Sequence, residues 1–145
     1  MSGRAVPFSR GAFVRFVPVT TRWADNDAYG HINNVVYHSF FDTAVNSILI
    51  EAGTLEPANS AIIGLVVETR CTFFASLAFP GPVEVGVAVA HLGTSSVRYR
   101  LGVFKAGAAL AAAQADYTHV YVDRATQQPV ALPGDVRALL QRLAV

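Results

Sequence analysis

A chain of 145 residues has the length of one ordinary domain, and 52% of it is hydrophobic against 14% charged. Its formal net charge is +1, with no basic block and no interleaving of Lys or Arg with aromatics, which argues against nucleic acid as a partner. No apolar run reaches the length of a membrane span, so no membrane partner is expected and the apolar excess points to burial against another copy of the chain.

Residues 1–11 contain Gly3, Pro7, Ser9 and Gly11 and read as a mobile N-terminal arm. They hold no continuous apolar segment of the secretory kind, which leaves the cytoplasm as the expected compartment. Phe13 to Arg22 reads as a strand in which Pro18 marks an edge or a bulge. Beyond a polar loop, Tyr37, Phe41, Ala44, Ile48 and Ala52 recur at helical spacing, and Phe40, Val45 and Leu49 widen the stripe. The spacing predicts a helix over Val35–Ala52, capped by Asn33 or Asn34, ended by Gly53 and buried on most of its surface.

From Ala61 the signal changes to β. Ile62–Phe74 is a long extended run, and Ala75–Pro82 is a turn region. Val83, Val85, Val87 and Val89 alternate with smaller or polar residues, as do Val97, Tyr99, Leu101 and Val103, with Gly93–Ser96 as a hairpin connection between the two runs. Ala108–Val122 is expected to be one strand, because its second half is plainly β. Pro133 can open a short C-terminal helix carrying Val136, Leu139, Leu140 and Leu143. The order predicts an α+β domain over residues 1–145, with an antiparallel sheet of about five strands wrapped around one long buried helix. The sequence has no internal repeat and no linker. Its lone cysteine, Cys71, rules out an internal disulfide and a cysteine-rich metal site, and its apolar setting predicts packing rather than reactivity.

The densest polar cluster is Arg22-Trp23-Ala24-Asp25-Asn26-Asp27-Ala28-Tyr29-Gly30-His31-Ile32-Asn33-Asn34. Two carboxylates, an imidazole and carboxamides fall just before the predicted helix, with Gly30 allowing a sharp turn among them. Helix starts present unpaired N–H groups and a positive dipole end, which suit a developing negative charge.

That loop, followed by Val35-Val36-Tyr37, resembles the signature D-x-D-x-x-G-H-x-N-N of the hotdog-fold acyl-CoA thioesterases of the 4-hydroxybenzoyl-CoA thioesterase type. Phe74–Pro80, Gly93–Tyr99 and Val120–Asp123 also fit, and the resemblance runs from about Phe13 to the C-terminus. It implies a hotdog fold and hydrolysis of an acyl-CoA substrate, with Asp27 as base or nucleophile and the backbone N–H near Asn34 as oxyanion donor. It also implies a homo-oligomer, dimer or tetramer, with active sites at the subunit interface. No metal or redox cofactor is implied. The Gly30-His31-Ile32-Asn33-Asn34 version departs from the hydroxybenzoyl-specific enzymes and leaves the acyl group open.

Each residue also has a plainer reading. Asp27 could be an Asx-turn or capping residue, and Asp25 is expected to orient Arg22 or the loop backbone. His31 could transfer a proton or simply hold the loop. Asn33 and Tyr37 are candidate substrate-binding residues, and Asn33 is equally a cap. Glu68 and Thr69 could reach a neighbouring subunit's pocket or form an outward-facing pair. Arg98 and Arg100 could grip CoA phosphates or lie on a solvated sheet face. Asp25, Asp27, His31 and His38 match no compact metal-ligand spacing, and Ser95 and Ser96 lack a His/Asp partner pattern. The rival functions on the same fold are a non-catalytic acyl-CoA or acyl-carrier-protein binding module and a dehydratase or hydratase.

Overall fold

The structure, a computed structural model, describes residues 4–145. Its elements are β1 (Arg15–Val19), a 3-10 turn (Trp23–Asp25), α1 (Val36–Glu51), β2 (Ile62–Phe73), β3 (Val83–Leu92), β4 (Ser96–Lys105), β5 (Ala113–Asp123) and α2 (Gly134–Arg142). The five strands form one sheet in the order β1-β3-β4-β5-β2, and every neighbouring pair is antiparallel. Pro18 lies in β1, an edge strand, where a residue with no N–H to donate is tolerated.

The apolar stripe of α1 lies on one face of the sheet. Phe41, Ala44, Val45 and Ile48 are buried against the alternating row Val85, Val87 and Val89 of β3 and the row Tyr99, Leu101 and Val103 of β4. The helix stops in a Schellman arrangement: Gly53 takes φ +75°, its N–H reaches the Ile50 carbonyl at 3.0 Å, and the Thr54 N–H reaches the Leu49 carbonyl at 3.0 Å. Within this chain, burial covers only one side of the helix. His38, Ser39, Asp42 and Thr43 are exposed, and Ala52 lies past the helix end in solvent. A short C-terminal helix forms where Pro133 predicts it, with Val136, Leu139 and Leu140 buried.

One expectation is corrected. The strand expected over Ala108–Val122 begins at Ala113, because Gly107 turns the chain at φ +80° and Ala108–Ala112 are otherwise engaged. There the Ala111 N–H donates to the Phe8 carbonyl at 3.0 Å, and the Ala112 carbonyl accepts from Phe74 and Ala75. β2 does not pair with β3 across the turn region between them; it pairs with β5 and forms the far edge.

The described part of the N-terminal arm lies against the sheet. The Phe8 N–H donates to the Gln114 side chain at 2.8 Å, and Arg10 pairs with Glu84 at 2.7 Å. Phe8, Phe13, Phe16 and Phe104 make edge-to-face contacts on the sheet face opposite α1, forming a second small core with Ala88 and Ala111. Gly86 and Gly102 lie beneath Phe13; a Cβ on either would come within 2.7 Å of its ring. Arg100 belongs to this layer too, its guanidinium 4.7 Å over the Phe8 ring. Residues 1–3 of the expected arm lie outside the described residues.

Candidate active site

The polar loop is held from within by Asp25, which is 1% exposed. Its carboxylate accepts from the Arg22 backbone N–H at 2.8 Å and from the Arg22 guanidinium at 2.8 and 3.0 Å, and its carbonyl accepts from the Asn33 N–H at 2.9 Å. These bonds fulfil the structural role expected of Asp25.

Two residues on, Asp27 closes a tight turn. Its N–H donates to the His31 carbonyl at 2.8 Å, its carbonyl accepts from Gly30 at 3.0 Å, and its Oδ1 accepts from the Tyr29 N–H at 2.9 Å. Gly30 sits at φ +83° and makes that turn possible without strain. Asp27 is therefore an Asx-turn residue, but the turn consumes one carboxylate oxygen. The other, Oδ2, has no hydrogen bond among the described residues.

The loop then enters α1. Asn33 Oδ1 accepts from the Val35 N–H at 2.9 Å, and its carbonyl accepts from Val36 at 3.0 Å, so Asn33 caps the turn that leads into the helix. Asn34 is exposed, and its backbone N–H donates to no group among the described residues. An N–H left free at a helix entrance is the kind of donor that can hold an oxyanion.

Asp27, His31, Asn34 and Tyr37 line one open cleft of about 530 Å3. The end of β2 and the residues after it complete the walls with Phe73, Phe74, Ala75 and Ser76. Tyr37 is 2% exposed and stands edge-on to Phe73 with ring centroids 5.0 Å apart. Burial, aided by nearby Cys71, pushes its hydroxyl pKa up and keeps it a neutral donor. Burial also pushes the half-buried Cys71 thiol up to about 11, in line with packing rather than reactivity.

Three candidates lie outside the cleft. Asn33 is turned into its cap, while Glu68 and Thr69 sit on β2 just past a bulge, opposite Thr118 and Tyr117 of β5. Glu68 is exposed and Thr69 half-buried. Among the described residues, no group of three or more His, Cys, Asp or Glu side chains could hold a metal ion.

Two features were missed in the sequence. Asn26 bonds both ways to the Phe79 backbone: its Nδ2 donates to the carbonyl at 3.1 Å and its Oδ1 accepts from the N–H at 2.9 Å. With the Ile32 N–H donating to the Leu77 carbonyl at 2.8 Å, this ties the loop to the β2–β3 connection and shapes the cleft wall. Its signal was a carboxamide between the two aspartates. The second feature is a polar cluster between sheet and helix, where the Tyr117 hydroxyl donates to Asp42. Next to it, the Tyr99 hydroxyl and His119 Nδ1 are buried without partners among the described residues.

The family model of the thioesterase-like superfamily matches residues 21–140. Among solved structures, the PA5185 protein of Pseudomonas aeruginosa PAO1 is 47% identical, over 96% of this chain and 97% of that one, with a TM-score of 0.94. Slr0204 from Synechocystis, a 1,4-dihydroxy-2-naphthoyl-CoA thioesterase, is 17% identical over 87% of this chain and 94% of that one, with a TM-score of 0.78. BH1999, a gentisyl-coenzyme A thioesterase, is 23% identical over 87% and 99%, with a TM-score of 0.76. Likeness to the last two is one of fold, and it is the hotdog fold that the loop signature implied. No curated protein matches the chain. The family match runs through the polar loop, α1 and all of the sheet except β1, and the chain accordingly belongs to the thioesterase-like superfamily.

Proposed function

We propose that this protein hydrolyses an acyl-CoA thioester to the free acid and CoA. The observation that carries the reading is that Asp27, with one carboxylate oxygen unused, and Asn34, with its N–H unused, open onto the same cleft. The thioester carbonyl oxygen would sit at the Asn34 N–H as its charge develops. Asp27 Oδ2 would take a proton from an attacking water or attack the carbonyl itself. His31 on the cleft rim could carry protons to the departing thiolate, and Tyr37, Phe73 and Phe74 offer an apolar wall to the acyl group. Family membership supports the reaction class, and two relatives of the same fold are named as acyl-CoA thioesterases.

The working unit in this reading is a dimer or larger oligomer. β2 has a free edge, and Leu65, Val66, Val67 and Phe73 along it are 36–60% exposed. A second copy on that edge would cover them, and it could bring Glu68 and Thr69 toward the neighbouring cleft.

Asp27→Asn tests the reading. An asparagine keeps the oxygen that accepts from Tyr29, so the turn survives while the carboxylate is lost. Thiol release from acyl-CoAs should fall by about 10²–10⁴-fold with the melting temperature unchanged. Full activity in the variant would remove Asp27 from the chemistry. If folded wild-type protein releases no thiol from short, long or aromatic acyl-CoAs, hydrolysis itself is refuted.

A further inference from the structure

The loop that carries Asp27 is joined to the rest of the fold by few hydrogen bonds. Asp25, its buried anchor, bonds only within the loop, to Arg22 and Asn33. The two arms of the loop bond to each other, the Asp27 N–H donating to the His31 carbonyl at 2.8 Å. Among the described residues, three hydrogen bonds join residues 22–34 to residues 75–82, the connection between β2 and β3. One runs from the Ile32 N–H to the Leu77 carbonyl, on the arm that leads to Asn34. The other two come from a single side chain, Asn26, on the arm that carries Asp27.

Asn26 is half-buried and stands between Asp25 and Asp27. Its Nδ2 donates to the Phe79 carbonyl at 3.1 Å, and its Oδ1 accepts from the Phe79 N–H at 2.9 Å. Both partners are backbone groups of one residue, so they fix which end of the carboxamide points where. An aspartate in its place would set a second acceptor against the Phe79 carbonyl, and an alanine would leave both backbone groups open. Trp23 adds an edge-on contact to the Phe79 ring, with centroids 6.3 Å apart. The same connection supplies Ala75 and Ser76 to the wall of the cleft that Asp27 lines. The spacing between Asp27 and that wall is therefore set across the Asn26–Phe79 pair.

We propose that Asn26 is a positioning residue for thioester hydrolysis: its paired bonds to Phe79 hold the Asp27 carboxylate at the spacing from the Ala75–Ser76 wall at which Oδ2 meets a thioester resting on the Asn34 N–H. The inference rests on the hydrolysis reading above and adds a residue that touches neither the substrate nor the reacting atoms. The Ile32–Leu77 bond holds the Asn34 arm separately. Loss of Asn26 thus displaces the base or nucleophile and leaves the oxyanion donor in place. A misplacement of about 1 Å at a reacting group costs about 10²-fold in rate.

Asn26→Ala, Asp27→Asn and the double variant are compared with wild type for thiol release from the acyl-CoA that wild type cleaves fastest. Asn26→Ala should lower kcat by about 10–100-fold and keep KM within about twofold, because the loss falls on the transition state. In the Asp27→Asn background the same change should cost less than about twofold, because the group it positions is already gone. Thr21→Val is the control for loosening the connection at large. It removes the 2.6 Å bond from the Thr21 hydroxyl to the Gly81 carbonyl and none of the ties to residues 22–34. It should lower the denaturant midpoint and keep kcat within about twofold of wild type.

Wild-type kcat in Asn26→Ala overturns the inference while hydrolysis stands. An equal loss of kcat in Thr21→Val also overturns it, by making the effect one of general loosening. Full additivity in the double variant does the same, by detaching Asn26 from Asp27, and a loss confined to KM moves Asn26 to substrate binding. If Asn26→Ala does not fold, Asn26→Ser, which stays polar and is too short to make both bonds, takes its place under the same criteria. Wild type that releases no thiol from any acyl-CoA refutes hydrolysis and this inference together, a result distinct from active wild type beside an unaffected Asn26→Ala.

Discussion

Asp25 and Asp27 stand two residues apart and have different fates. Asp25 is buried and spends both oxygens on Arg22, while Asp27 keeps one oxygen free over the cleft. A sequence cannot separate them by type; the turn at Gly30 does so by turning one inward and the other toward the cavity. His119 makes the same point for buried polarity. It follows Tyr117 in an alternating strand and is 2% exposed, with Nδ1 unpartnered. Burial, partly offset by Asp42, pushes its pKa from 6.5 down to about 4.

The unfolded chain therefore binds this proton more readily than the folded one. Stability should be fully present above about pH 6.5 and lost as pH falls toward 4, by about 3 kcal/mol in all. Denaturant midpoints from pH 7 to 4 should fall more steeply in wild type than in His119→Phe. Parallel curves would show that His119 is not the acid-sensitive group.

At the scale of elements, the sequence read well wherever a pattern was periodic. The helix, the two valine rows and the hairpin at Gly93–Ser96 all formed within a residue or two of expectation, because burial of one face imposes its period on the side chains. The reading failed on the outer layer. Gly86 and Gly102 look like ordinary strand glycines, yet both are needed so that Phe13 can lie flat on the sheet. Gly86→Ala should cost about 1–3 kcal/mol by overpacking against that ring. Made in a Phe13→Ala background, the same change should cost much less, because the clash is gone. Equal costs in the two backgrounds, read from denaturant midpoints, would place the strain elsewhere.

At the scale of the molecule, one chain leaves two surfaces unfinished. The free edge of β2 carries exposed Leu65, Val66 and Val67, and α1 shows His38, Ser39, Asp42 and Thr43 to solvent. An edge strand this long and apolar, without a charged guard over Leu65–Val67, invites a partner. Val67→Asp should shift the protein toward monomer in sedimentation velocity and lower thiol release in parallel. A monomeric variant with undiminished activity would show that each cleft is complete within one chain.

The sequence by itself determined the order and type of the elements, the position of the polar loop at the entrance to α1, and the packed character of Cys71. Those properties depend on local periodicity, turn chemistry and composition, which act over a few residues at a time. Only the tertiary structure decided that β2 crosses to the far edge and that the arm is laid on the sheet. The same holds for Asp27 and the Asn34 N–H sharing a cleft with Phe73. Each of these depends on contacts between residues distant in sequence. Such contacts form when backbone groups and apolar faces find partners across the whole chain, and nothing in a local pattern specifies which partner that will be.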